Sequence, residues 1–343
     1  MSVATGSSVA GAGTLDGTVA GALDDFDSRP GGSMSLLRTI VGSCLRQVGG
    51  WMPTAGAVAM LAALDIPAST ARSALARLSA KGVLERASHD GVAGYSLRPE
   101  AAPMLERGDR RIFSGAASDD ATWCLISFSI PEHRRDRRHQ LRRRLDWIGC
   151  GTVSDALWIG PERVTDDVRD ILAELRLTDE VTLFSGARPL SERPLAELAG
   201  SWWDLERVRR VHERFIARYG VAAEGAGADT DAGRVAGAYP EGAGAGAHPA
   251  GTVTGAHQAG AKGGGEDAER EAFATWIGAL DEWRVIPYLD PGLPESALPD
   301  RWPGRKSAAL FAILEARYSD AALAYARRLA GCGQPARTPA IPR

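Results

Sequence analysis

Cysteine is scarce in this sequence: Cys44, Cys124, Cys150 and Cys332 are the only four in 343 residues. They stand far apart and form neither a CxxC pair nor a Cys/His spacing suited to a metal. Three of them sit in apolar stretches, which predicts small buried thiols in a reducing compartment. No apolar run approaches the roughly 18 residues that a membrane span requires. The N-terminus lacks the basic segment and apolar core of a secretory signal. The expectation is a soluble cytoplasmic protein with no membrane partner. Hydrolytic and cofactor motifs are missing as well: there is no GxSxG elbow, no Gly-rich phosphate loop and no clear Cys/His pair. An acyl-CoA-metabolising enzyme is therefore not expected, nor is a bound cofactor or metal. Positive charge is not in surplus, with 40 Lys and Arg against 43 Asp and Glu and a formal net charge of -3. That argues against a uniformly basic nucleic-acid coat, but not against one basic face on one domain.

The length leaves room for two or three compact domains. Two tracts hold few large apolar side chains, residues 1–33 and about 222–265, the second containing the run Gly242-Ala243-Gly244-Ala245-Gly246-Ala247. Neither can bury enough surface to offset the entropy of ordering, so they read as a disordered tail and a flexible insertion. A further tail is expected at 331–343. The remainder divides into segments 34–113, 120–190 and 191–330.

In the first segment Leu37, Ile40, Val41, Cys44, Leu45 and Val48 recur at helical spacing, and Gly49-Gly50 ends the helix. Pro53-Thr54 opens a second helix. A third runs from Pro67 to about Lys81, with Gly82 as its stop, an inner face of Ala71, Ala74, Leu75 and Leu78, and an outer face of small and basic residues. Two strand-like stretches follow, Val83–Arg86 and Tyr95–Arg98, around a turn tract Ser88-His89-Asp90-Gly91. Three helices followed by a hairpin make a winged helix-turn-helix. Ala76 and Ala80 keep the third helix narrow enough for a major groove, while Arg72 and Arg77 offer hydrogen-bond forks to guanine edges or phosphates. Between Met34 and Phe113 there are ten Arg or Lys and six Asp or Glu, so about +4 of charge is concentrated where the reader belongs. The expected DNA contacts are Ser69, Thr70, Arg72, Ser73, Arg77, Lys81, Arg86 and His89. The partner is double-stranded operator DNA, and a homodimer is expected, because one such module reads too few base pairs alone.

The second segment opens on the apolar strand Trp123–Ile130. A helix follows from about Glu132 to Leu145, carrying Arg134, Arg135, Arg137, Arg138, Arg142, Arg143 and Arg144. A strand at Ala156–Ile159, a helix at Asp166–Leu175 and a strand at Val181–Phe184 complete a β-α-β-α-β run, which suits a ferredoxin-like sandwich. The arginine-rich helix is open to two readings, a solvated outer face or a second electropositive patch. In the third segment Leu195–Tyr219, Glu271–Trp283 and Lys306–Ala330 read as helices. A long loop rich in Pro and Gly separates the last two, and Trp302 is expected to pack it. The fold class is thus α+β: a winged helix-turn-helix, a central ferredoxin-like domain and a C-terminal helical domain.

Three stretches carry a family resemblance. Thr70-Ala71-Arg72-Ser73-Ala74-Leu75-Ala76-Arg77-Leu78 looks like a recognition helix, and Arg110-Arg111-Ile112-Phe113, ahead of the strand and Pro131-Glu132, looks like a junction. Asp290-Pro291, Leu293-Pro294 and the block Leu298-Pro299-Asp300-Arg301-Trp302-Pro303-Gly304 are the most specific. Together they resemble the PaaX family of bacterial transcriptional repressors of phenylacetate degradation, over roughly residues 35–220 and 270–330. The resemblance implies a homodimer on a palindromic operator, released by an aryl- or acyl-CoA, typically phenylacetyl-CoA. A CoA thioester needs cations beside an aromatic pocket, and Trp202, Trp203, Arg207, Arg210, Trp283, Arg284 and Trp302 are the candidates for it. The central segment also resembles the ferredoxin-like fold of Cas2 proteins, which raises a metal-dependent nuclease as the rival. That chemistry needs a carboxylate at the end of the first strand, where this sequence has Phe128-Ser129-Ile130.

Overall fold

The structure is a computed structural model that describes residues 29–113, 122–224 and 265–331. The tracts expected to be unstructured fall mostly outside these residues. Residues 29–33 do not: Gly32 N–H closes a turn on Arg29 O at 3.0 Å, and Gly31 N–H reaches the Asp281 carboxylate at 2.7 Å.

Helix α1 spans Ser33–Ser43, shorter than its periodicity suggests, and a 3-10 turn at Leu45–Val48 carries the remaining apolar residues inward. Gly49 and Gly50 then adopt left-handed φ values of 89° and 76°, which only glycine takes without strain. Strand β1 (Trp51–Pro53), α2 (Thr54–Ala62) and α3 (Ala68–Ala80) follow. Next come β2 (Leu84–His89) and β3 (Val92–Leu97). The hairpin is longer than the sequence suggested. Its turn is only Asp90-Gly91, with φ of 51° and 78°, the primed geometry that matches strand twist. The sheet has three strands rather than two, in the order β1-β3-β2, all antiparallel. Helix α4 (Ala102–Phe113) leads out of this unit.

The central unit contains β4 (Trp123–Phe128), α5 (Arg135–Trp147), β5 (Gly151–Ser154), β6 (Leu157–Pro161), α6 (Thr165–Leu175) and β7 (Val181–Ala187). The expected β-α-β-α-β run therefore has one strand more. It is a β-α-β-β-α-β with antiparallel sheet order β5-β6-β4-β7, the arrangement of a ferredoxin-like sandwich. Cys124, Ile126 and Phe128 face α5 and α6 over Leu141, Leu145, Val168 and Leu172. Trp123 and Leu125 face the other way, onto Ala199, Trp203 and Leu293. The continuous apolar run of β4 follows from burial on both faces.

The C-terminal third consists of α7 (Leu195–Trp202), α8 (Leu205–Glu224), α9 (Gly265–Trp283), the short α10 (Ile286–Leu289) and α11 (Gly304–Leu329). What reads as one helix across Leu195–Tyr219 is two, because Trp203 is extended (φ -124°, ψ 147°) and Asp204 Oδ1 accepts the Arg207 N–H at 2.9 Å as a fresh cap. Trp203 leaves the helix path to bury its ring beside Trp123 and donate its indole N–H to Gly149 O at 2.9 Å. Helices α8, α9 and α11 instead share a core with the first unit: Phe215, Phe273, Trp276, Trp283 and Phe311 join Leu37, Ile40, Leu61 and Leu75.

Candidate nucleic-acid interface

Helix α3 is docked by Ala71, Ala74, Leu75 and Leu78, each 0% exposed. A 3.6-residue period then forces the intervening positions outward. Ser69, Arg72, Ser73, Ala76, Arg77 and Ala80 are exposed, while Thr70 and Lys81 are half-buried. Ser73 Oγ bonds the Ser69 carbonyl at 3.0 Å, so the small hydroxyls stay close to the helix and leave the arginines to project. On β2, Arg86, Ser88 and His89 are exposed.

The arginines of the surface differ in whether a carboxylate matches them. Arg134, Arg138, Arg142 and Arg144 of the arginine-rich segment contact Glu180, Glu132, Asp155 and Glu174 respectively. Part of that segment's charge is thus matched locally, while Arg135 and Arg137 are exposed with no carboxylate within 4 Å among the described residues, so the helix combines a matched outer face with an unmatched basic one. Arg72, Arg77 and Arg86 likewise lie within 4 Å of no carboxylate among the described residues. Unmatched guanidinium groups on a narrow exposed helix are suited to an anionic partner.

The third strand of the small sheet and its aromatic cover were missed in the sequence. Trp51 on β1 stacks on His89 at the far end of β2, with ring centroids 4.6 Å apart and planes 4° from parallel. The missed strand is three residues long, too short to show a period. The available signal was Trp51-Met52-Pro53 itself, an aromatic and an apolar residue just before a helix.

The candidate effector residues do not form one group. Trp202, Trp203 and Trp302 gather in the core against the central sheet, where Arg209 lies over the Trp302 ring at 5.4 Å. Arg207 and Arg210 are exposed on α8, Arg210 beside Glu206 at 3.4 Å. Trp283 lies elsewhere, stacked on Phe311 at 4.6 Å and donating to Ile112 O at 3.1 Å. Arg284 is committed to the buried Asp281 carboxylate at 3.1 Å. The Pro/Gly loop is held, as expected, around Trp302, and also by a group the sequence did not reveal. His212 Nδ1 lies 2.6 Å from Ser307 Oγ and Nε2 lies 2.8 Å from Asp290 Oδ2. These are the residue types of a nucleophilic triad, but Ser307 is 0% exposed and its hydroxyl donates to Gly304 O at 2.9 Å, so no substrate carbonyl can reach it.

Arg111 joins all three units. Its guanidinium donates to Asp167 at 2.7 Å, to Ile148 O at 2.5 Å and to Pro287 O at 3.1 Å, and lies over the Tyr288 ring. On the nuclease question, β4 runs out at Phe128-Ser129-Ile130, none of them a carboxylate, and Glu180, across from Ser129, is paired with Arg134. Among the described residues no three His, Cys, Asp or Glu side chains group as cation ligands, and no helix is long and apolar enough to cross a membrane.

Comparison with known proteins gives three matches in order along the chain. Residues 33–101 match the PaaX-like protein model, 116–198 the PaaX protein central Cas2-like domain, and 256–328 the PaaX-like protein C-terminal domain. The chain is 22% identical over 299 residues to the transcriptional repressor PaaX of Escherichia coli strain K12, covering 86% of this chain and 83% of that protein. Among solved structures, the uncharacterized protein Rv0674 from Mycobacterium tuberculosis aligns over 84% of this chain and 97% of its own at 19% identity and a TM-score of 0.47, a likeness on which nothing here rests. Matched in sequence order by all three segments, the chain belongs to the PaaX family.

Proposed function

We propose that this protein is a DNA-binding transcriptional regulator whose first unit is a winged helix-turn-helix, with α3 as the reading helix and the β2–β3 hairpin as the wing. The observation that carries this is the exposed pair Arg72 and Arg77 on the outer face of a helix docked by Ala71, Ala74, Leu75 and Leu78, with Arg86 exposed on the adjoining hairpin and no carboxylate within 4 Å of the three among the described residues. A transcriptional repressor among its relatives supports the same reading. The test is mobility shift on the DNA upstream of the chain's own gene. Replacing Arg72 and Arg77 with Ala should weaken binding by ~2–6 kcal/mol, from about 1–3 per good contact. Unchanged affinity in the folded double variant would remove α3 from the interface. Cation-dependent cutting of the duplex would instead favour a nuclease.

A dimer fits this reading, since two reading helices related by symmetry recognise a palindrome. The effector we infer is an aryl- or acyl-CoA. The residues we keep for its site are Trp202, Trp302, Arg207 and Arg210 with Arg209, because Trp283 and Arg284 are engaged in the other core and Trp203 is buried with its indole N–H on Gly149 O. Titration with phenylacetyl-CoA should change tryptophan emission and lower DNA affinity over one concentration range. No response to any aryl- or acyl-CoA would reject the effector and leave the DNA reading intact.

A further inference from the structure

The small sheet contains a device that the reading helix does not explain. Trp51 and His89 belong to strands that are not neighbours, for β3 runs between them. In the ladder, Pro53, Gly94 and Ala87 form one cross-strand row, and Trp51, Ser96 and Glu85 the next. Trp51 reaches His89 only by laying its ring diagonally across β3, and the residue beneath it is Gly94. A Cβ at Gly94 would sit 2.9 Å from the indole ring and 2.3 Å from Met52 O, so only glycine leaves that path open. The stack covers the outer face of the sheet, opposite the buried Met52, Leu84 and Tyr95. His89 remains exposed, next to the Asp90-Gly91 turn, and its ring nitrogens bond to nothing among the described residues. An exposed imidazole is normally free to change rotamer. This one is clamped against an indole at 4.6 Å.

We propose that Trp51 is a positioning residue of the DNA interface, holding His89 in a fixed orientation to hydrogen-bond the backbone of the duplex beside the wing. The inference rests on the DNA-binding reading above. Duplex phosphates accept hydrogen bonds from wing side chains. A side chain already immobilised before binding avoids the ordering cost that a free one incurs. Trp51 thus acts through His89 and need not touch DNA itself.

The experiment uses the full chain and a duplex that the wild-type protein selects from a randomised pool. Trp51→Leu, Trp51→Phe, His89→Ala, His89→Gln and the Trp51→Leu/His89→Ala pair are compared by titration, with thermal unfolding as the folding control. His89→Ala and Trp51→Leu should each weaken binding roughly three- to tenfold, the factor expected for one immobilised side chain, and the pair should be no weaker than either single change. Trp51→Phe, which can still stack, should bind like wild type. His89→Gln keeps a donor but not a flat ring, and should lose as much as His89→Ala. One of the six histidines should show ring protons shifted upfield by the stacked aromatic ring in NMR spectra, in wild type and Trp51→Phe but not in Trp51→Leu. If Trp51→Leu does not fold, His89→Gln and the NMR signature decide the matter. Wild-type affinity in His89→Gln, or independent losses from the two sites, overturns the role of Trp51 while DNA binding stands. Failure of the wild-type chain to select any duplex overturns the DNA reading and this inference together.

Discussion

The sharpest stability prediction concerns Asp281. This carboxylate sits on α9, is 0% exposed, and is held by groups far away in sequence. Gly31 N–H, Ser35 Oγ and Thr39 Oγ1 each donate to it at 2.7 Å, and Arg284 Nε at 3.1 Å. It therefore ties α1 and the turn just before it to the C-terminal helices. In Asp281→Ala four donors lose their acceptor at once. The hydroxyl of Thr39 has a fallback, since it already lies 3.2 Å from Ser35 O, and Arg284 keeps Ser35 Oγ at 2.6 Å. The remaining cost is an uncompensated, partly buried guanidinium and an orphaned amide. Breaking a buried ion pair by removing one partner costs about 3–5 kcal/mol, and the fallback bonds place this case toward the lower end. Ser35→Ala, which leaves the ion pair intact but removes one bond to Asp281 and one from Arg284, should cost about 1.5–3 kcal/mol, the range for hydrogen bonds to charged groups. Urea unfolding followed by tryptophan emission measures both, provided the slope with denaturant is unchanged. A loss under about 1 kcal/mol for Asp281→Ala would show that the latch contributes little and that the shared apolar core alone joins the two ends.

Arg111→Ala should destabilise by about 2–3 kcal/mol, because two carbonyls lose a charged donor, while the partly exposed Asp167 left behind is solvated; Arg111→Lys should restore little of it, as a point charge cannot span three acceptors, and denaturant titration of the three proteins decides. Gly56→Ala should cost about 1–3 kcal/mol by overpacking, since the added Cβ would lie 2.3 Å from Leu329 O on α11; a neutral effect in thermal unfolding would mean that α11 can move away from α2 freely. Burial pushes the Cys44 thiol up to about 11 and raises Cys124 and Cys150 above the ordinary range as well. Thiolate is the nucleophile, so at pH 8 these three should resist iodoacetamide in the native protein and react in urea, as read by mass spectrometry; rapid native alkylation of Cys44 would contradict its buried position. The sign also predicts that Cys44 favours folding up to about pH 9 and that this contribution falls as pH rises toward 11.

Local signals were readable wherever they sufficed to determine structure. The inner face of α3 could be named in full from spacing, because helical periodicity depends only on neighbours within the same turn or two. The outer face, with Arg72 and Arg77, followed by subtraction, and so did most of the candidate interface. Asp90-Gly91 is a turn by its own chemistry, as Gly82 and Gly49-Gly50 are stops by theirs. Even the loop around Trp302 could be anticipated, since its prolines and glycines exclude a continuous helix.

What the sequence could not supply is pairing across distance. Strand β1 exists because Trp51 and Met52 find Ser96 and Tyr95, and β5 because Gly151–Ser154 meets β6; segments of three and four residues carry no period of their own. The break at Trp203 is likewise invisible locally, because the ring leaves the helix for a sheet face built some eighty residues earlier, at Trp123. The separation of Trp283 and Arg284 from the other effector candidates has the same origin. Composition marks all of them as aromatic or cationic, but only packing assigns Trp283 and Arg284 to the side shared with α1, the other three tryptophans to the sheet, and Arg207 and Arg210 to the exposed face of α8. Helical period and turn chemistry are properties of short stretches, and the sequence alone determined them; strand partners, shared cores and the stack of Trp51 on His89 depend on which surfaces meet, and that only the tertiary structure decided.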